Sequence, residues 1–175
     1  SRPDAKTPPA KAAARPAPAA VESPVSPELQ RAYDQALAHM QAGRHKEAEQ
    51  ALRALTRQAP GLSGPHANLG LLYRRAGRNA AAIAALERAA EINPRRAVYY
   101  NELGITYRLE GKFDMARKNY RKALDLDPAY APAHLNLAIL YDLYLQEPKD
   151  ALPHYQQYRE LVPAEATHVS KWIIE

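Results

Sequence analysis

The chain has 175 residues and a formal net charge of +5, long enough for one domain that buries roughly two-thirds of its surface. It contains no cysteine, which excludes disulfides, thiolate metal sites and cysteine nucleophiles together, and suits an oxidising compartment. No apolar run approaches the ~20 residues needed to cross a bilayer, so no transmembrane helix is expected.

Residues 1–27 hold seven of the fifteen prolines and eight alanines, and no leucine, isoleucine or aromatic residue. Such a segment buries too little apolar surface to offset its ordering entropy, so it is predicted to be a disordered Pro/Ala-rich linker. At ~3.1 Å per residue in polyproline-like conformation it would reach on the order of 80 Å. The chain starts at Ser1 without a methionine. Two explanations stand at this point: a segment left after removal of a secretion signal, with a lipid-bearing cysteine just upstream, or a boundary inside a longer protein.

The folded part is predicted to begin at Ser26-Pro27-Glu28, which reads as an N-cap, a proline at the first helical position and an acidic first turn. Farther on, Leu69, Gly70, Tyr73, Gly77, Ala82, Leu86, Ala89 and Pro94 return 34 residues later as Leu103, Gly104, Tyr107, Gly111, Ala116, Tyr120, Ala123 and Pro128. A fixed period of that size marks stacked helix–turn–helix units, none of which can bury its apolar face alone. Within each unit the apolar residues fall at three- and four-residue intervals, as in Leu69, Leu72, Tyr73 and then Ile83, Leu86, Ala90. Gly43, Gly77 and Gly111 are placed to close the first helix of each pair in a left-handed conformation. Pro60, Pro94, Pro128 and Pro163 end the second helices, and Pro65 and Pro132 fall in the first turns of the next ones. Gly70 and Gly104 sit mid-helix, where glycine costs ~1 kcal/mol, a cost tolerated for close helix approach.

This pattern resembles the tetratricopeptide repeat. Two copies are nearly full, 63–96 and 97–130. A looser copy at 29–62 keeps Gly43, Ala48, Leu52 and Pro60, with Gln35, Ala36 and His39 in place of the Leu-Gly pair and the tyrosine. A fourth, 131–163, carries Leu137, Ala138 and Tyr141, and stays in register through Ala151, Tyr155, Tyr158 and Pro163 only if one residue is inserted in the turn Leu143–Pro148. The resemblance implies an all-α, right-handed α-solenoid of about four repeats over 28–163. Residues 164–175, with Val169, Trp172 and Ile173 at helical spacing, are the candidate capping helix of the last repeat.

In that family the first helix of each repeat lines a concave groove. The resemblance therefore implies a partner-binding wall of Tyr33, Leu37, Met40 and Gln41, then Ala67, Asn68, Leu71, Arg74 and Arg75. The third repeat would add Asn101, Ile105, Arg108 and Leu109, and the fourth Leu135, Asn136, Ile139 and Asp142. Leu37, Leu71, Ile105 and Ile139 form an apolar stripe at the repeat interval, and Arg74 and Arg108 occupy equivalent places. The stripe either receives a partner segment or packs against the neighbouring helix. The arginines either read acidic groups or pair internally, with Glu102 or Asp142 as candidates. Co-chaperones of this family clamp a C-terminal carboxylate through lysine, asparagine and arginine positions. The places that correspond here hold Tyr33, Leu37, Val98 and Glu102, with only Asn68 matching, so that clamp is not expected.

Catalytic chemistry is not legible. The six histidines (His39, His45, His66, His134, His154, His168) are scattered without metal-ligand spacing, and no phosphate loop, nucleophile elbow or paired carboxylate motif occurs. Arg74, Arg75, Arg78, Arg95 and Arg96 make a local basic run offset by Glu87 and Glu91, too short for a nucleic-acid footprint. The expected function is a non-enzymatic adaptor with no cofactor or metal, binding a peptide or helix of another protein, with an acidic segment as one possibility. A bacterial envelope setting is expected, periplasmic or facing the periplasm from the outer membrane, in pilus, secretion or energy-transducing assemblies. A cytoplasmic location is the alternative. The alternative function is a substrate-recruiting module of a larger enzyme such as a glycosyltransferase or peptidase.

Overall fold

The structure, a computed structural model, describes residue 22 and residues 24–162. Its regular elements are all helical: α1 (Pro27–Gln41), α2 (His45–Gln58), α3 (Ser63–Arg75), α4 (Asn79–Ile92), α5 (Ala97–Leu109), α6 (Phe113–Leu126), α7 (Ala131–Ile139) and α8 (Pro148–Leu161). A π-helical segment, Leu140–Tyr144, continues α7. Each odd-numbered helix packs most extensively on the even-numbered helix that follows it, and α3 touches α5 as α5 touches α7. This is the all-α solenoid that the period implies. The candidate capping helix 164–175 and all of the linker up to residue 21 lie outside the described residues.

Local chemistry sets the helix ends. The Ser26 side chain accepts from the Leu29 N–H at 3.2 Å, with Pro27 in the first turn of α1 and Glu28 beside it. Gly43, Gly77 and Gly111 have φ of 71°, 73° and 71°. Each closes its helix with the same pair of bonds, seen as Gly77 N–H to Arg74 C=O (2.9 Å) and Arg78 N–H to Tyr73 C=O (2.8 Å). A side chain at those glycines would meet the left-handed penalty, whereas glycine does not.

The fourth pair departs from this. Adding 34 to Gly111 gives Leu145, but the left-handed residue is Gln146 (φ 56°), and α8 starts one place late as well. The extra residue is taken up one step earlier than the turn: the Leu145 N–H reaches back five residues to the Leu140 C=O at 3.0 Å. A wide π turn absorbs one residue without breaking the helix, so the insertion falls largely inside the helix end and not in the loop proper.

Two apolar clusters fill the stack. One joins Ala36, Ala48, Leu52 and Leu55 to Leu69, Leu72 and Ala85; the other joins Leu86, Ala89, Tyr99, Leu103 and Tyr107 to Tyr120, Leu137, Leu140 and Tyr141. The mid-helix glycines permit the closest approaches. A Cβ on Gly70 would stand 2.6 Å from Leu86 Cγ, and one on Gly104 would stand 2.5 Å from Cδ1 and Cε1 of Tyr120. Tyr120 is 0% exposed, so its ring has no open space to swing into. Gly104→Ala gains ~1 kcal/mol of helix propensity but meets an overpacking term of ~1–3 kcal/mol. The overpacking term is the larger, and a lowered urea midpoint is expected; an unchanged or raised midpoint would show that the Tyr120 ring yields.

Candidate functional site

The odd-numbered helices present one wall, and their polar side chains bond along the stack. Asn68 Nδ2 donates to the Tyr33 hydroxyl at 2.6 Å and to the Gly64 C=O at 3.1 Å, tying α3 to α1. Asn136 Nδ2 donates to Asn101 Oδ1 at 3.0 Å, tying α7 to α5. Both of these bridges link residues 35 apart, one beyond the repeat period. Asn101 and Asn136 are buried, which turns their amides toward each other and toward the stack.

Arg74 replaces such a bridge at the middle junction. Its guanidinium lies 2.6 Å from Glu102 Oε2, and it also donates to the Glu102 C=O (3.2 Å) and the Thr106 hydroxyl (3.3 Å). Of the two readings open for the wall arginines, internal pairing holds for Arg74. Arg108, its equivalent, places its guanidinium 5.5 Å from the Tyr144 ring centroid. Asp142 accepts from the Tyr155 hydroxyl at 3.2 Å. Arg75, one place beyond Arg74, is exposed, as are Gln41 and Leu109.

The apolar stripe is neither fully covered nor fully open. Leu37, Leu71, Ile105 and Ile139 are all partly exposed, with Met40, Tyr33 and Leu135 in the same state. Beyond them the wall becomes more apolar toward its C-terminal end: Leu109 is 56% exposed, Leu143 68% and Tyr144 45%. Leu143 and Tyr144 stand on the π segment, and Leu143 repeats the place of Leu109 at the 34-residue interval. At the other end, Tyr33, Ala67, Asn68, Leu71, Arg96 and Tyr99 surround a cavity of about 210 Å³.

Several other charged side chains pair with neighbours at the surface. Arg78 pairs with Glu49 at 3.2 Å and lies 4.3 Å over the Tyr73 ring. On the even-numbered side, Arg117, Lys118, Arg121 and Lys122 share one face of α6 around a cavity of about 640 Å³. Within that face Arg117 pairs with Asp114 and Arg121 donates to the Tyr141 hydroxyl, both at 2.8 Å. Among the described residues no group of three acidic or histidine side chains is arranged to hold a metal.

His134 and His154 meet with Nδ1 atoms 3.1 Å apart, while His134 Nε2 lies 2.8 Å from the Pro128 C=O. A carbonyl only accepts, so His134 Nε2 carries the proton, its Nδ1 accepts, and His154 Nδ1 donates. Burial lowers the pKa of His154, with its neighbours His134 and Arg121 acting the same way and Asp150 opposing them. Burial lowers His66 too, against a hydrogen bond to the Pro60 backbone. Both imidazoles therefore take up a proton less readily in the fold than in the unfolded chain, which does so below about pH 6.5. Stability should be full above that pH and fall as pH drops below it. Tm is expected to decline from pH 7 to 5, less so in His154→Gln; a flat profile over that window would contradict the assignment.

Sequence reasoning missed the site's other acidic member. Glu22, one of only two acidic residues in the first 27, reaches Ser63, Asn93 and Arg96. An isolated carboxylate in a Pro/Ala linker was the available signal.

Comparisons with known proteins agree with this architecture. One tetratricopeptide repeat model matches residues 66–129 and 95–164, and a second matches 10–63 and 33–97. No curated protein matches the chain. Among solved structures, a crystal structure of MamA is similar at 22% identity and a TM-score of 0.70, covering 76% of this chain and 77% of that one. MamA from Desulfovibrio magneticus RS-1 gives 21% and 0.69, covering 76% and 75%. MamA from MSR-1 gives 26% and 0.64, covering 76% of each chain. The repeats, the helix-closing glycines and these matches together place the chain in the tetratricopeptide repeat family.

Proposed function

We propose that this protein is a non-enzymatic adaptor that holds a peptide or helix of another protein against the wall of its odd-numbered helices. The observation that carries the reading is the partly exposed stripe Leu37, Leu71, Ile105 and Ile139, continued by Leu109 and Leu143. Apolar side chains repeated along a stack and left partly exposed fit a segment with apolar anchors at helical or extended spacing. Arg75 and Arg108 beside them suit an acidic edge on that segment.

The test is a pull-down from the source organism with the full chain and with Ile105→Asp and Ile139→Asp variants. Helicity by circular dichroism should be retained, and the proteins captured by the parent chain should be lost. Equal capture by the variants would remove the wall from recognition. Arg74 is unsuited to this experiment, since removing it strips Glu102 of its partner.

The setting we propose is a bacterial envelope assembly, with the Pro/Ala segment as a tether and the lack of cysteine suiting an oxidising compartment. Cell fractionation tests it: recovery with periplasmic or outer-membrane material supports the setting, and recovery in the cytoplasm opposes it.

A further inference from the structure

Glu22 seats its carboxylate where α3 begins, α4 ends and α5 begins. The Ser63 N–H donates to Oε2 at 3.3 Å, and the Ser63 hydroxyl donates to Oε1. Asn93 Nδ2, at the C-cap of α4, donates to the same Oε1 at 3.0 Å. Because the Ser63 proton points at Glu22, the Tyr99 hydroxyl 2.8 Å away must be the donor to the Ser63 oxygen. Ser63 is 1% exposed and Tyr99 is buried with it, so the cradle is part of the packed stack. Burial pulls the Glu22 carboxyl upward, but the bonds from Ser63 and Asn93, with the Arg96 charge, outweigh it and hold the pKa below the ordinary value. The cradle thus fits the ionised group.

Its parts are fixed by the solenoid and not by Glu22. Ser63 is placed by the first turn of α3, Asn93 by the last turn of α4, and Arg96 and Tyr99 by the entry to α5, where the Arg96 guanidinium lies 5.3 Å from the Tyr99 ring centroid. Arg96 and Tyr99 also line the 210 Å³ cavity that opens beside Leu71 and Asn68 on the same wall. A residue from the opposite end of the sequence neighbourhood, 41 positions before Ser63 and 71 before Asn93, occupies it.

We propose that Ser63, Asn93, Arg96 and Tyr99 form a carboxylate-reading subsite of the partner-binding wall, and that Glu22 occupies it as an intramolecular stand-in for a glutamate or aspartate side chain of the bound segment. The proposal rests on the reading of that wall as a protein-binding surface. A partner's acidic side chain has to displace Glu22, and a tethered competitor acts at an effective concentration in the millimolar range for a short flexible connection. Apparent affinity falls by the fraction of chains whose subsite is free.

The test uses the full chain and a fluorescently labelled synthetic peptide of residues 18–27, which carries Glu22 in its own context. Glu22→Ala is expected to bind the peptide roughly tenfold more tightly than the parent chain, as expected where nine in ten subsites are self-occupied. A peptide with glutamine at the glutamate position should bind Glu22→Ala at least about tenfold more weakly, and so should the Glu22→Ala/Asn93→Ala and Glu22→Ala/Arg96→Ala chains with the original peptide. Absence of peptide binding by Glu22→Ala, equal binding by the parent chain, or indifference to the glutamine peptide would each overturn the subsite. Loss of captured partners from Ile105→Asp alongside any of those results would leave the wall standing and remove only the subsite.

Discussion

Leu86→Ala is expected to lower stability by about 2–5 kcal/mol, the range for truncating a leucine in a core that collapses poorly. Leu86 is 0% exposed and lies under Gly70, so the vacated volume opens directly against the α3 backbone. The loss should lower Tm by roughly 5–20 °C for a domain of this size. Its position matters as much as its size. In a stack held by neighbour contacts alone, weakening one junction uncouples the units on either side. The urea transition of Leu86→Ala should therefore broaden as well as shift, with a smaller slope. A parallel shift at unchanged slope would show that the repeats unfold as one block despite the defect.

Arg74→Ala comes next in size. Its removal breaks the contact with Glu102 Oε2 and two further bonds into α5, and leaves a carboxylate whose side chain is only 19% exposed. Hydrogen bonds to charged groups contribute ~1.5–3 kcal/mol, and stranding the partner adds a desolvation cost. A loss of roughly 2–3 kcal/mol is expected, against less than ~0.5 kcal/mol for Arg75→Ala on the exposed neighbouring position. Adding Glu102→Gln to Arg74→Ala should recover part of the loss, because the stranded charge is gone. Equal midpoints for the Arg74 and Arg75 variants would mean that the ion pair contributes little in solution.

The helix ends were legible in the chain because they depend on local chemistry. Ser26 caps and Pro27 opens α1, and Gly43, Gly77 and Gly111 take the left-handed conformation that only glycine adopts without penalty. Gly70 and Gly104 were legible for the opposite reason: a costly residue in mid-helix implies something pressed against it, and Leu86 and Tyr120 are there. The wall was harder to read. Whether Arg74 faces solvent or Glu102 depends on how far one repeat rotates over the next, which no single repeat encodes. The rule that emerges, a polar residue pairing with one 35 positions on, joins Tyr33 to Asn68 and Asn101 to Asn136. Ala67 interrupts that series where Glu102 would need a partner, and Arg74 takes the place. Glu22 was invisible to periodicity because it belongs to no repeat.

The π segment at Leu140–Tyr144 bears on how such a chain can grow or shrink by recombination. Units 63–96 and 97–130 have the same length, so a duplicate of either could be spliced between them without shifting the register of the helices. The junction between α7 and α8 differs, because it carries a residue that the three pairs before it lack. A one-residue slip therefore sets where splicing is simple: a 34-residue copy fits in the middle of the array without adjustment, whereas one cut through the fourth pair has to bring the added residue with it.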